Sequence, residues 1–199
     1  SLGSVYAIIA LGYTMVYGIA RMLNFAHGDI IMVGGFVIFT MVSTLGLPPM
    51  VGVLVAVIAC TVLGVVIERV AYKPLRGASS LAVLITAIGV SYLLQNVALL
   101  IFGSNARQFT SVVNVPSLKL AGGALSISGV TLVTIITCIV IMVALTTFIN
   151  KTRVGQAMLA VSEDTGAATL MGINVNSTIA ITFAIGSALA AIAGALLCS

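Results

Sequence analysis

Six runs of mostly apolar residues, separated by polar connectors, dominate this 199-residue sequence. A helix needs about 20 mainly apolar residues to cross the roughly 30 Å hydrocarbon core of a bilayer. The runs that approach this length cover residues 2–20, 30–45, 50–67, 81–102, 130–149 and 178–198. Because backbone polar groups inside lipid must be satisfied within the segment, such runs fold as helices. The sequence therefore predicts an all-α fold, a polytopic transmembrane helical bundle of about six spans.

The composition favours the same class. Only 6% of the residues are charged, whereas soluble domains have about 25%, and the mean hydropathy is +1.30. The Lys and Arg residues stand between apolar runs and form no basic patch, which favours lipid over nucleic acid as the partner. Cys60, Cys138 and Cys198 lie singly in apolar runs, without metal-site or disulfide spacing. We interpret them as small core residues and predict no metal, cofactor or catalytic residue.

The distribution of positive charge predicts the topology. The connectors are residues 21–29, 46–49, 68–80, 103–129 and 150–177. The first, third and fifth together carry six Lys and Arg residues, and the second and fourth carry two. The positive-inside rule then assigns the first, third and fifth connectors to the cytoplasm and residue 1 to the outside.

Small residues recur at helix-contact spacing in the last apolar run. Gly186, Ala190 and Gly194 are four residues apart, and helices in lipid associate where small residues let backbones approach closely. We predict that these three residues form a helix-packing stripe.

The connector 103–129 is the longest on the outer side. Leu118, Leu120, Leu125 and Ile127 alternate with smaller or polar residues around Gly122–Gly123, a pattern typical of a β-hairpin. One interpretation is a hairpin that caps the outer mouth. The other is a contact surface for an external solute-binding protein.

The connector 21–29 contains the only His and one of the four acidic residues. Ionisable groups at membrane depth are costly and normally face a cavity or a partner. In one interpretation the segment is a plain cytoplasmic turn with solvated Arg21 and Asp29. In the other the helix is broken here, and unwound backbone with Asn24, His27 and Asp29 lines a pathway.

The connector 150–177 has an amphipathic pattern. Val154, Ala157, Met158 and Val161 form one apolar helical stripe. A second short helix is predicted from residue 165 to 171, with Asp164 as N-cap and Gly172 at its C′ position. The pair of helices either packs under the bundle at the interface or receives motion from a cytoplasmic partner.

Several motifs, in order along the chain, resemble one family. They are GYTMVYG at 12–18, LNFAHGD at 23–29, ERVAYKPLR at 68–76, the segment 155–174 with GQA, ED, AA and LMGIN, and TFAIGSALA at 182–190. This pattern resembles the branched-chain amino acid ABC permeases. It covers most of the chain except the outer connector. Permeases for urea or short amides are closely related and have overlapping motifs.

The resemblance implies a type-II-like ABC importer permease in the bacterial inner membrane. The expected partners are a second permease subunit, identical or different, two cytoplasmic ATPase subunits, a periplasmic solute-binding protein and membrane lipid. Residues 1–199 are expected to form a single permease domain, with a cytoplasmic coupling loop at 150–177 and further spans after residue 199.

The resemblance also implies two sets of site residues. ATPase coupling would involve Glu163, Asp164, Ala167, Ala168, Leu170 and Gly172, although the coupling-loop consensus is present only in a loose form. The translocation path would run beside Asn24, Phe25, His27, Gly28 and Asp29.

Other functional classes fit the sequence less well. No Gly precedes a Lys, so the chain lacks the phosphate-binding loop of an ATPase, and ATP hydrolysis is expected in partner subunits. No Pro follows an Asn, so the aquaporin signature is absent, and a passive channel needs no docking loop. One His with one nearby Asp makes neither a catalytic triad nor a metal site, so we do not expect an enzyme.

Overall fold

The computed structural model describes residues 2–105, 116, 118–120 and 125–199 of the chain. Among these residues, six helices are long and apolar enough to cross a membrane, which confirms the predicted polytopic bundle. The helices are α1 (Leu2–Ala20), α2 (Ala26–Phe39), α3 (Pro49–Ile67), α4 (Ser80–Phe102), α5 (Gly129–Lys151), α6 (Arg153–Glu163), α7 (Thr165–Leu170) and α8 (Val175–Leu197). The short helices α6 and α7 connect the fifth span to the sixth.

Two spans are longer than predicted. The second begins at Ala26 instead of residue 30. Its last five residues, Thr40–Thr44, form a π-helical turn within the predicted range. The third continues beyond Ile67 through a π-helical turn (Glu68–Tyr72) and a 3₁₀ turn (Lys73–Leu75). Glu68 and Tyr72 are buried against neighbouring elements. Tertiary contacts thus keep the third span helical after its apolar run has ended, where we predicted a connector.

Helix α8 is the centre of the bundle, with α1, α2 and α3 packed around it. Close approach is possible because glycines stand at the contacts. A Cβ atom on Gly186 would lie 2.7 Å from Cγ2 of Val16 on α1, and one on Gly194 would lie 2.8 Å from the carbonyl oxygen of Ile31 on α2. Ala190, between them, is fully buried. The face of α8 with the predicted stripe therefore lies against α1 and α2.

Helices α4 and α5 are peripheral. Their large apolar side chains are mostly exposed, among them Leu93 and Leu100 on α4 and Ile136 and Val140 on α5. Such faces suit contact with lipid or with another membrane subunit. Of the cysteines, Cys60 lies in the core, as predicted, but Cys138 and Cys198 are only half-buried.

The outer connector contains two short strands, β1 (Leu118–Leu120) and β2 (Leu125–Ile127). They pair antiparallel, with Leu118 opposite Ile127 and Leu120 opposite Leu125. This pairing confirms the predicted hairpin. The predicted turn at Gly122–Gly123 lies outside the described residues. Arg107 of the same connector lies outside them as well.

The first, third and fifth connectors, which together carry six of the eight Lys and Arg residues, lie on the same side of the bundle. The Arg21 guanidinium donates to the carbonyl oxygens of Ser162 (2.6 Å) and Glu163 (3.2 Å) at the end of α6. Arg76 donates to the side chain of Asn176 at the start of α8, and it forms an ion pair with Glu68. These long-range bonds join the connectors 21–29, 68–80 and 150–177.

We predict that Gly194→Val lowers the free energy of unfolding by about 1–3 kcal/mol, because the added methyl groups overpack the contact of α8 with α2. Thermal unfolding of the full-length permease in detergent measures the effect. Gly89→Val is the matched control, since Gly89 lies on exposed α4 with open space at its Cβ position. Equal losses in both variants would contradict the packing role of Gly194.

A second prediction concerns the ion pair at the end of the third span. Glu68 is 1% exposed, so Arg76→Gln leaves a buried carboxylate without its cation and destabilises the protein by about 3 kcal/mol. The double variant Glu68→Gln/Arg76→Gln removes the unpaired charge and recovers most of the loss. Denaturant titration in mixed micelles compares the three proteins. A double variant no more stable than Arg76→Gln would refute this account.

Candidate functional site

The segment between α1 and α2 is a short break in helical structure. Only residues 21–25 are non-helical, since Arg21 takes the left-handed conformation (φ 53°) that ends α1. The predicted turn of nine residues is therefore wrong in length. His27, Gly28 and Asp29 belong to the first turn of α2. Irregular backbone at a membrane-spanning helix is stable where protein or water satisfies its polar groups.

Asn24 lies at the centre of this break and is 3% exposed. Its Oδ1 atom accepts a hydrogen bond from the Tyr72 hydroxyl (3.2 Å), which also lies 3.3 Å from the carbonyl oxygen of Leu23. The Tyr72 ring packs against Phe183 of α8, with a centroid separation of 5.2 Å. The broken segment is thus held against the π-helical turn of the third span and the central helix. π-helical turns occur frequently at functional sites.

His27 lies on the opposite side of the break, against α1. A Cβ atom on Gly12 would lie 3.0 Å from Cε1 of the imidazole, so the ring depends on the absence of a side chain there. The Tyr13 ring meets it edge-on at a centroid distance of 6.1 Å. The Nε2 atom of the imidazole is buried with no hydrogen-bond partner among the described residues.

Asp29 faces α4. Its carboxylate accepts a hydrogen bond from the Ser91 hydroxyl and another from Nε2 of Gln95, the latter at 3.0 Å. Ser91 is the middle residue of α4 (Ser80–Phe102), so an acidic group lies at the level of the central turns of a membrane span. No Lys or Arg pairs with Asp29 within the described part of the chain.

The five residues predicted for the translocation path thus occupy different environments. Asn24, His27 and Asp29 are buried, whereas Phe25 and Gly28 are exposed. The three buried side chains face different elements, the third span, α1 and α4 respectively. The break and the start of α2 therefore connect three parts of the bundle. The Asp29 carboxylate has two neutral donors, Ser91 and Gln95.

Sequence analysis did not identify Tyr72, Ser91 or Gln95 as partners of this segment. Ser91 and Gln95 had a signal, because they are polar residues spaced i, i+4 in the middle of an apolar run. Tyr72 had none, since an aromatic residue near the end of a span is also typical of an interfacial anchor.

The connector 150–177 folds into two helices, as its pattern predicted. Asp164 caps α7, accepting from the backbone N–H of Gly166 (2.7 Å) and of Ala167 (3.1 Å). Gly172, with φ 84°, ends the segment in the left-handed conformation. The N-cap and the C′ glycine predicted for this helix are thereby confirmed.

The residues predicted for ATPase coupling divide into an exposed and a buried set. Those that are exposed are Glu163, Asp164, Ala167, Leu170 and Gly172. Leu170 and its neighbour Met171 are 89% and 83% exposed. Ala168 is only 3% exposed and lies in the main core cluster, which anchors α7 to the bundle. The side of α7 opposite Ala168, which ends in the apolar residues Leu170 and Met171, thus projects away from the protein.

Comparison with known proteins identifies the family. The family model described as the branched-chain amino acid transport system / permease component matches residues 1–199. The high-affinity branched-chain amino acid transport system permease protein BraD of Pseudomonas aeruginosa is 40% identical over 99% of this chain and 67% of its own length. The corresponding protein LivH of Escherichia coli is 42% identical over the same shares.

A more distant relative is a probable branched-chain amino acid transport permease protein of Methanocaldococcus jannaschii. It is 28% identical over 96% of this chain and 61% of its own length. No solved structure matches the chain. The six apolar helices and the bacterial relatives identify a multi-pass protein of the bacterial cytoplasmic membrane. The chain belongs to the permease components of branched-chain amino acid transport systems.

Proposed function

We propose that this chain is the membrane-spanning subunit of an importer for branched-chain amino acids, powered by ATP hydrolysis in partner subunits. The observation that carries this proposal is the segment α6–α7, which packs against the bundle with one face, exposes the other, and is bonded to the break between α1 and α2. Transport of urea or short amides would use the same machinery with a different solute.

The exposed edge of α7 is the proposed ATPase contact. Leu170 and Met171 form an apolar tip, and fully exposed apolar side chains at the end of a short helix suit insertion into a groove of a partner. Glu163 and Asp164 add two negative charges at the other end of α7. Residues 150–177 would then be the coupling loop, on the cytoplasmic side with Arg21 and Arg76.

Arg21 is the proposed mechanical link from this loop to the transport path. The last carbonyl groups of a helix have no intrahelical partner and favour a cation, and Arg21 satisfies those of Ser162 and Glu163. A displacement of the end of α6 would therefore pull on the first residue of the break. Asn24, His27 and Asp29 follow within the next eight residues.

The remaining partners follow from the family and the exposed surfaces. The peripheral helices α4 and α5 offer apolar faces for a second permease subunit or for lipid. An external solute-binding protein would deliver the amino acid at the outer side, near the hairpin β1–β2. Closure of two ATPase subunits would then shift the bundle between outward-open and inward-open states.

The proposal is tested by reconstituting the full-length permease with its candidate ATPase subunits in liposomes. Labelled leucine should accumulate only with ATP and the binding protein present, because transport needs energy and delivery from partners. Urea as the accumulated solute would change the substrate class. Leucine flux without ATP or partners would favour a passive channel and would contradict the proposal.

The coupling role of α7 predicts the effect of its cap. Asp164→Ala removes two hydrogen bonds to backbone N–H groups, which destabilises the start of the helix by about 1 kcal/mol. We expect leucine uptake per ATP hydrolysed to fall severalfold. Asp164→Asn is the matched control, since Asn caps helices as well as Asp does, and it should retain coupling. A normal ratio in Asp164→Ala would refute the assignment of this loop.

A further inference from the structure

Helices α2 and α4 meet along two facing strips of side chains. Asp29, Met32 and Phe36 share one face of α2 at i, i+3 and i+7, and Ser91, Gln95 and Leu99 share one face of α4 at i, i+4 and i+8. We call this feature, defined by these six residues, the α2–α4 groove. Stacking of Phe36 on Phe102, at a centroid distance of 4.3 Å, holds the helices together farther along.

The inner end of the groove is an acidic group without a counterion. Ser91 and Gln95 donate to the Asp29 carboxylate, so its oxygens are oriented but its charge is not balanced within the described residues. Gly28 leaves open space beside it, since a Cβ atom there would meet nothing within 4 Å. A carboxylate at membrane depth normally pairs with a cation or faces a polar pathway.

Lipid alone does not explain this face of α4. Gln95 and Asn96 are exposed in the central part of the span, and polar side chains there normally face water or protein. The Asn96 amide donates to the carbonyl of Tyr92, and the Gln95 amide also lies 3.2 Å from the Ser91 hydroxyl. The polar atoms of Ser91 and Gln95 thus converge on Asp29, whose carboxylate has lone pairs for a further donor.

The outer end of the groove is an apolar cavity of about 580 Å³. Met32, Phe36 and Leu99 of the groove line it, with Phe39 and Leu197 among the other apolar residues. A volume of this size is within the range of about 300–1,000 Å³ that holds small ligands, and such pockets combine apolar walls with few polar groups. Met32 lies about 4.5 Å along the helix axis from Asp29.

We propose that the α2–α4 groove binds the transported amino acid, with the Asp29 carboxylate receiving its ammonium group and the cavity receiving its branched aliphatic side chain. The axial offset of about 4.5 Å between Asp29 and Met32 is comparable to the distance between the ammonium group and the terminal methyl groups of leucine. Ser91 and Gln95 are positioning residues that orient the carboxylate. The inference rests on the proposed function, because it names how that substrate is recognised inside the membrane.

The chain has a built-in probe for occupancy of the groove. Cys198 lines the cavity, whereas Cys138 lies on α5 and serves as an internal control. In the assembled transporter in lipid nanodiscs, alkylation of each thiol by a small maleimide is followed by peptide mass spectrometry. The binding protein is left out, so that any protection reports the membrane subunits alone.

Leucine should slow alkylation of Cys198 about tenfold when present at about ten times its Kd, without an effect on Cys138. 4-Methylpentanoate, which has the same carbon skeleton without the ammonium group, should give no protection. Asp29→Asn should raise the leucine concentration needed for half-maximal protection about tenfold to hundredfold, since a charge-assisted hydrogen bond is lost. Leucine uptake should fall in this variant.

Leu99→Cys supplies a second probe in the same cavity, and the comparison of leucine with 4-methylpentanoate needs no change at Asp29. Equal protection by the two compounds, or undiminished protection in Asp29→Asn, would overturn the inference. So would a transporter that imports leucine but shows protection at neither Cys198 nor Leu99→Cys. In that case another helix or lipid fills the groove and the proposed function stands. Absence of ATP-dependent leucine import by the unaltered protein would instead overturn the proposed function.

Discussion

Close backbone contact at the central helix is the constraint on which the rest of this structure depends. In lipid there is no hydrophobic drive between helices, so association requires packing at short range. Gly186 and Gly194 let α8 approach α1 and α2 until backbone atoms of the neighbours are reached. Once α1, α2 and α3 surround α8, the break at residues 21–25 is brought against Tyr72 and the central helix. The position of this non-helical segment is a consequence of that packing.

Several polar groups of the bundle have partners that offset the free-energy cost of removing them from water. Glu68 has Arg76, Asn24 has Tyr72, and the last carbonyl groups of α6 have Arg21. Each of these pairs joins residues that are distant along the chain or belong to different elements. Asp29 differs, because its two donors are neutral, and this difference is the basis for assigning it to the substrate. The translocation path expected from the motif resemblance and the proposed substrate contact both include Asp29.

Three helical segments show which helix ends the sequence pattern predicts correctly and which it does not. The cap and the C′ glycine of α7 were predicted correctly, because both are local signals that involve the backbone of adjacent residues. The end of the third span was predicted incorrectly, because Glu68 and Tyr72 are polar and their burial depends on Arg76 and Phe183. Similarly, the start of α2 was placed too late, since His27 and Asp29 interrupt the apolar run but remain helical.

The sequence by itself determined that the chain crosses the membrane about six times, that α7 is capped, and that small residues line one face of the last span. These features depend on hydropathy and spacing within single segments, which are local properties. Only the tertiary structure decided that Asp29 meets Ser91 and Gln95, that Arg21 reaches the end of α6, and that Ala168 turns inward while Leu170 projects outward. Such contacts join residues far apart in the chain, and the relative rotation and depth of packed helices, which no single segment encodes, select them.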